Sequence, residues 1–176
     1  MTLDEIRADA FRLVARGVAD RRSPFRGPRL RTVVLRAFDP AARRVVVHSD
    51  MRAAKVTEIG RDPRVALHVW DDGNRVQVRL DGIAALQSGA AALPDWERLH
   101  PGSRASYRVR QTPGTVQPDP AGADTDRVEE GEAFANFAVI AVALTGMEWL
   151  HLARDGHRRA TFTWTDAGQT AAWLVP

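Results

Sequence analysis

The chain has 176 residues, 44% of them hydrophobic and 27% charged, the balance of an ordinary globular protein with room for one domain and a real core. It has no cysteine, which excludes disulfides, thiolate metal sites and a cysteine nucleophile, and no apolar run of eighteen residues offers a membrane span. The net charge is only +3, but residues 1–64 carry fifteen basic against eight acidic side chains and the remainder ten against fourteen, so the first third is expected to meet an anionic partner.

Taken in chain order, residues 2–19 predict a helix. "TLDE" forms a capping box, with Thr2 as N-cap and Glu5 three residues on, each satisfying the other's backbone N–H. Leu3, Ile6, Ala10, Leu13 and Val14 then recur at helical spacing. The opening residues lack the basic-then-apolar order of a secretory signal, so a cytoplasmic setting is expected. "DRRSPFRGPRL" holds two prolines and a glycine and predicts a loop.

Strands dominate from there. "RTVVLRAF" (31–38) and "RRVVVHS" (43–49) flank the turn "DPAA" and predict a hairpin. "MRAAKVTEIG" predicts a short helix closed by Gly60 in the left-handed conformation. "DPRVALHVW" is a third strand and "DDGN" a tight turn. "RVQVRLDGIAAL" is a long fourth strand with a bulge or bend at Gly82. "LPDWERLHP" predicts a short helix, "SRASYRVRQTPG" a basic irregular stretch, "QPDPAGAD" a loop, and "DTDRVEEGEAF" a solvated helical face. "FAVIAVALTGMEWLHL", "HRRATFTW" and "TAAWLV" return to strands. Trp149, Trp164 and Trp173 fall in these strands as core or interface anchors. His68, in an apolar strand, is a core or interface histidine. The expected fold is mainly β: a six- to seven-stranded split β-barrel with peripheral α-helices, a single domain over 1–176 with the barrel at about 30–175.

Lys55 is the only lysine in the chain, among twenty-four arginines. It follows "VVVHSDMRAA", where a strand ending in His48-Ser49-Asp50 hands over to a helix. Helix N-terminal N–H groups and the helix dipole favour an anion there. Ser49 adds a hydroxyl and Lys55 a compact positive charge. The same residues also fit a plain helix cap with a solvated lysine. In "RVQVRL", Arg75, Gln77 and Arg79 alternate with apolar residues, which makes one polar strand face. That face is either simply solvated or presents the Gln77 amide to an imide-like N–H and C=O pair.

Dinucleotide-binding, phosphate-loop, serine-elbow and zinc-helix motifs are all missing. The five histidines, His48, His68, His100, His151 and His157, are scattered with no helical metal spacing, so no metal site is expected.

The ordered set "RTVVLR", "VVHSDMRAAK", "DPRVAL", "VQV" and Gly82 resembles the pyridoxamine 5′-phosphate oxidase family of flavin mononucleotide (FMN) binding split barrels. The resemblance runs from residue 28 to 82 and resumes at "RVRQTPG" and "MEWLHLARDGHRRATFTW" with "WLVP". It implies FMN as cofactor. Arg31 matches a strand-opening arginine near the ribityl phosphate, and Arg36 matches a lysine near flavin and substrate. His48 and Ser49 match a Tyr-Thr pair at the phosphate, Lys55 the phosphate lysine, and Gln77 the glutamine at the pyrimidine edge of the flavin. Gln111 and Thr112 match a Gln-Ser pair given by a second subunit, so a homodimer with flavin at its interface is implied. Arg159 lies near the family's late arginine, and Leu150 stands where the family has tryptophan.

Two departures stand out. Ala54 replaces an arginine beside the phosphate lysine, and the family's Tyr, Arg and Ser set for the substrate phosphate has no clean match. Arg98, His100, Arg104 and His157 are the substrate-side candidates, and no residue is assigned as acid or base. The expected function is that of an FMN-dependent oxidoreductase acting on a small molecule. The alternatives are a flavin-binding module without turnover, or a basic nucleic-acid-binding barrel. The last is disfavoured because the basic strands lack the interleaved aromatics that stack bases.

Overall fold

A computed structural model describes residues 2–16, 29–118 and 126–176, and the side chains of 13–16 lie outside that set. The expected loop at 20–30, the helical turn beyond residue 16 and the side chains of Leu13 and Val14 therefore fall almost wholly outside the described residues. Five α-helices are present among them: α1 (Leu3–Arg16), α2 (Ala54–Arg61), α3 (Leu93–Glu97), α4 (Pro101–Arg104) and α5 (Glu130–Ala135). The seven strands are β1 (Leu35–Asp39), β2 (Arg44–Asp50), β3 (Arg64–Asp71), β4 (Val76–Gln87), β5 (Phe137–His151), β6 (Arg158–Thr165) and β7 (Gly168–Leu174). They form one sheet in the order β1-β2-β5-β4-β3, with β6 paired to β5 and β7 to β6. No helix among the described residues is long and apolar enough to cross a membrane.

The chain divides into two compact units. The first comprises Met1–Val47, Arg64–Ile83 and Val142–Pro176. Its helix α1 opens as the sequence predicts: the Thr2 backbone N–H donates to Glu5 Oε2 at 2.6 Å, and the Glu5 N–H donates to Thr2 Oγ1 at 3.2 Å. Ile6 and Ala10 are fully buried, and Phe11 packs edge-on to Phe38 at 5.1 Å and against Trp164 at 5.9 Å. Trp149 and Phe162 are 1% exposed, and burying a side chain of this size stabilises the fold by roughly 1.5–3 kcal/mol. Trp164 joins this core, whereas Trp173 on β7 is half exposed.

Strand β1 is shorter than expected. It starts at Leu35 and not at residue 31, and its pairing with β2 skips Arg36: Leu35 faces Val47 and Ala37 faces Val46. Arg36 is thus the extra residue of a β-bulge. The turn after β1 is held by Asp39, whose Oδ1 accepts from the N–H groups of Ala41 and Ala42 at 2.9 Å each. Strand β4 alternates as its sequence dictates, with Val76, Val78 and Leu80 buried and Arg79 and Asp81 exposed.

Gly82 makes no bulge in the β3–β4 pairing. The β3–β4 register runs unbroken through the pairs Val65–Gly82 and Arg64–Ile83. A Cβ at Gly82 would meet the Ala143 carbonyl oxygen at 2.5 Å and Val142 Cγ1 at 2.7 Å. Glycine is required there because β5 passes too closely for any side chain.

The second unit comprises His48–Pro63 and Ala84–Ala141. Its core is aromatic: Trp96 lies 5.9 Å from Tyr107, 5.6 Å from Phe134 and 5.3 Å from Phe137. Phe134 and the buried Ala133 turn one side of α5 inward, so "DTDRVEEGEAF" is not solvated all round. Helix α2 also departs from expectation. It runs through Gly60 to Arg61, and Asp62 closes it in extended conformation by donating its N–H to the Glu58 carbonyl. Gly60 is not a left-handed cap.

Candidate functional site

At the β2–α2 junction the Lys55 ammonium donates to Ser49 Oγ at 3.2 Å, and the Ser49 hydroxyl donates to the Asp50 carbonyl at 3.1 Å. Ser49 is 4% exposed. Successive strand side chains point to opposite faces, and His48 accordingly turns elsewhere. Its ring packs edge-on to Phe137 at 4.9 Å, with Nε2 4.0 Å from Asp95 Oδ1. Neither Ser49 nor Asp50 caps α2: the N-cap is Ala53, which supplies no side-chain acceptor. The first turn of α2 therefore keeps its N–H groups clear of a side-chain cap, beside a lysine already turned to the strand end.

Asp50 is engaged by Arg52. The Arg52 backbone N–H and Nε donate to Asp50 Oδ1 at 2.8 and 3.0 Å, and Nη2 donates to Oδ2 at 2.7 Å. The same guanidinium donates from Nη1 to the Arg110 carbonyl at 2.8 Å and from Nη2 to the Val109 carbonyl at 2.9 Å. The hydrogen bond to Asp50 holds the guanidinium pKa above arginine's ordinary value, against the opposing effect of burial. A cavity of about 250 Å³ opens here, lined by Asp50, Arg52, Ser106, Gln111, Thr112 and Gln117 among others. Gln111 Oε1 is buried with no hydrogen-bond donor among the described residues.

In the other unit, Arg31 is half-buried in the segment before β1, so it need not share a strand face with Arg36. Arg36 is exposed in the bulge. Gln77 lies on the outer face of β4, opposite Trp70 of β3. Arg159 on β6, paired in register with Leu150, donates from Nη2 to Glu148 Oε2 at 2.8 Å. Arg79 reaches the same oxygen at 3.2 Å. Glu148 is 8% exposed, and its hydrogen bond raises the Arg159 pKa. His157 is exposed between β5 and β6.

The substrate-side candidates carry structural work. Arg98 is largely exposed and pairs with Asp95 at 3.1 Å. His100 Nδ1 accepts from the Gly102 N–H at 3.1 Å and so caps α4. Arg104 donates to the Glu97 carbonyl at 2.9 Å and to Glu130 at 3.3 Å, with its guanidinium 5.3 Å from the Trp96 ring centre. The predicted residues that the structure brings together are thus Ser49 with Lys55 and, along one cavity wall, Gln111 with Thr112. Sequence reasoning missed Arg52 and Glu148. A D-x-R spacing at a strand end and an acid inside an apolar strand were the available signals.

The donor set at the junction suits a phosphate: a buried hydroxyl, an ammonium on it and uncapped helix N–H groups. Residues 10–88 match the family model described as the pyridoxamine 5′-phosphate oxidase FMN-binding domain, a span that includes Ser49, Lys55 and Gln77. No curated protein sequence matches the chain.

Solved structures show the fold. A pyridoxamine 5′-phosphate oxidase-related, FMN-binding protein from Nostoc punctiforme PCC 73102 aligns with a TM-score of 0.70 at 21% identity, over 83% of this chain and 80% of that one. PhzG from Burkholderia lata 383, solved with tetrahydrophenazine-1-carboxylic acid, gives 0.66 at 16% identity, over 83% and 74%. A Clostridium acetobutylicum protein related to general stress protein 26, of the pyridoxinephosphate oxidase family, gives 0.58 at 10% identity, over 91% and 95%. These likenesses place the mainly β, seven-stranded architecture in the split-barrel class. The chain thus matches the pyridoxamine 5′-phosphate oxidase FMN-binding domain over residues 10–88 and shares the fold of these solved structures.

Proposed function

We propose that Ser49 and Lys55 hold the phosphate of FMN and that the protein is an FMN-dependent oxidoreductase acting on a small molecule. The observation that carries this reading is the 3.2 Å contact from Lys55 Nζ to a buried Ser49 hydroxyl at a strand-to-helix junction, inside the residues matched to the FMN-binding domain. When bound, FMN supplies two-electron redox chemistry at its ring, while the protein supplies position and charge. Lys55 contributes the positive charge, and Ser49 and the α2 N–H groups contribute donors. Arg52 adds little net charge, because Asp50 offsets it. Arg31, Arg36, His48, Gln77, Gln111, Thr112 and Arg159 are assigned to the cofactor by their match to the family, with Gln111 and Thr112 reaching the flavin of a partner subunit in a cytoplasmic homodimer.

A second reading, a flavin-binding module without turnover, is favoured by the engagement of Arg98, His100 and Arg104 in caps and ion pairs. Those contacts leave the substrate half of the family pattern without its own cations.

The test is titration of apo-protein with FMN and riboflavin, followed by visible spectroscopy. FMN is expected to bind more tightly than riboflavin, and equal affinities would overturn the phosphate role. Mixing reduced holo-protein with oxygen, and the oxidised form with amines or nicotinamides, then separates the two readings. Turnover with any of them supports the oxidoreductase, and none leaves the module.

A further inference from the structure

The Arg52 guanidinium ties two separate stretches of chain together. Two of its contacts reach Asp50 at the end of β2, next to Ser49, and two reach the carbonyls of Val109 and Arg110. Gln111 and Thr112 follow immediately in sequence. All four contacts are 3.0 Å or shorter, and lysine could not reproduce them, because an ammonium lacks the planar fork that serves a carboxylate and two carbonyls at once. The far side of the same segment is fastened by the Arg110 N–H donating to the Asp126 carbonyl at 3.1 Å and by the Val128 N–H donating to the Arg108 carbonyl at 2.7 Å. Held this way, Gln111 lines the cavity, and its Oε1 is buried without a donor among the described residues. An unpaired buried acceptor is costly to the protein alone and is satisfied by a ligand bearing an N–H group.

We propose that Arg52 is a positioning residue: it holds the 109–112 segment so that the Gln111 carbonyl oxygen meets an N–H of the flavin ring. Its effect falls on the ring end of the ligand and not on the phosphate end. This rests on the FMN reading of the preceding subsection. The guanidinium is already neutralised by Asp50 and spent on backbone carbonyls, so it is no phosphate ligand despite standing three residues before Lys55.

The test compares wild type, Arg52→Lys and the double variant Asp50→Asn with Arg52→Gln, which removes both charges in case one alone misfolds. Each is titrated with FMN and with riboflavin, and its bound visible spectrum is recorded. Amide hydrogen exchange at Arg110 is followed in the apo-protein. Both variants are expected to lose affinity for FMN and riboflavin by the same factor, about tenfold, the size of one or two lost hydrogen bonds. The flavin band shifts and Arg110 exchange accelerates. Loss of FMN affinity with riboflavin affinity unchanged would make Arg52 a phosphate ligand and overturn the proposal. Faster exchange with both affinities intact would reduce Arg52 to a structural tie and overturn it also, as would no change in either. A wild type that binds neither flavin sinks the FMN reading and the ring-positioning role together, and the exchange rate at Arg110 then decides alone whether Arg52 holds the segment.

Discussion

The Arg159 guanidinium donates to Glu148 at 2.8 Å, and Arg79 donates to the same carboxylate oxygen at 3.2 Å. A carboxylate that is 8% exposed on a mostly apolar strand has its cost of burial offset by this double pairing. Removing the shared glutamate takes this partner from both arginines, whereas replacing Glu148 and Arg159 together by apolar groups takes it from the more exposed Arg79 alone. Glu148→Ala is therefore expected to lower the melting temperature by roughly 5 °C. Glu148→Leu combined with Arg159→Met should lose less than Glu148→Ala. Thermal unfolding by circular dichroism measures both, and a double variant worse than the single would refute this account.

The Arg52–Asp50 pair has a defined pH signature. Its hydrogen bond raises the Arg52 pKa in the folded state. A group whose folded pKa is raised contributes stability that is complete below its unfolded value and lost only as pH rises through the folded one. On the arginine side that loss lies above arginine's ordinary range. The difference in melting temperature between wild type and Arg52→Gln should thus be the same at pH 7 and pH 10.

Lys55→Met removes the ammonium that meets Ser49 Oγ while keeping a long side chain at that helical position. A charged hydrogen bond to phosphate is worth about 1.5–3 kcal/mol, so FMN affinity should fall about ten- to hundredfold while riboflavin affinity holds. Fluorescence quenching titrations read both values. A parallel fall for riboflavin would mean that the lysine supports the fold and not the phosphate.

Gly82→Ala places a methyl group 2.5 Å from the Ala143 carbonyl oxygen. A backbone atom inside a sheet cannot step aside as a flexible side chain can. The substitution should cost about 2–3 kcal/mol, as overpacking of a closed interior does, measured by urea unfolding. Gly60→Ala is the control, since nothing lies within 4 Å of its added methyl group.

The sequence by itself determined the strands and their order. Period-two alternation in "RVQVRL" placed β4 and its two faces, the "TLDE" box set the start of α1, and β-branched runs marked the other strands. These are local effects, written in side chains a few residues apart. Lys55 and Ser49 were legible for the same reason, lying six positions apart across one strand-to-helix turn.

Contacts that close over long separations were decided only by tertiary structure. Arg52 meets carbonyls 57 and 58 residues away, and Arg79 meets a glutamate 69 residues away. One arginine among twenty-four carries no mark of which carbonyl or carboxylate it will find. Gly82 was misread for a related cause: a glycine in a strand signals a bulge or a close neighbour equally well, and only the path of β5 distinguishes them.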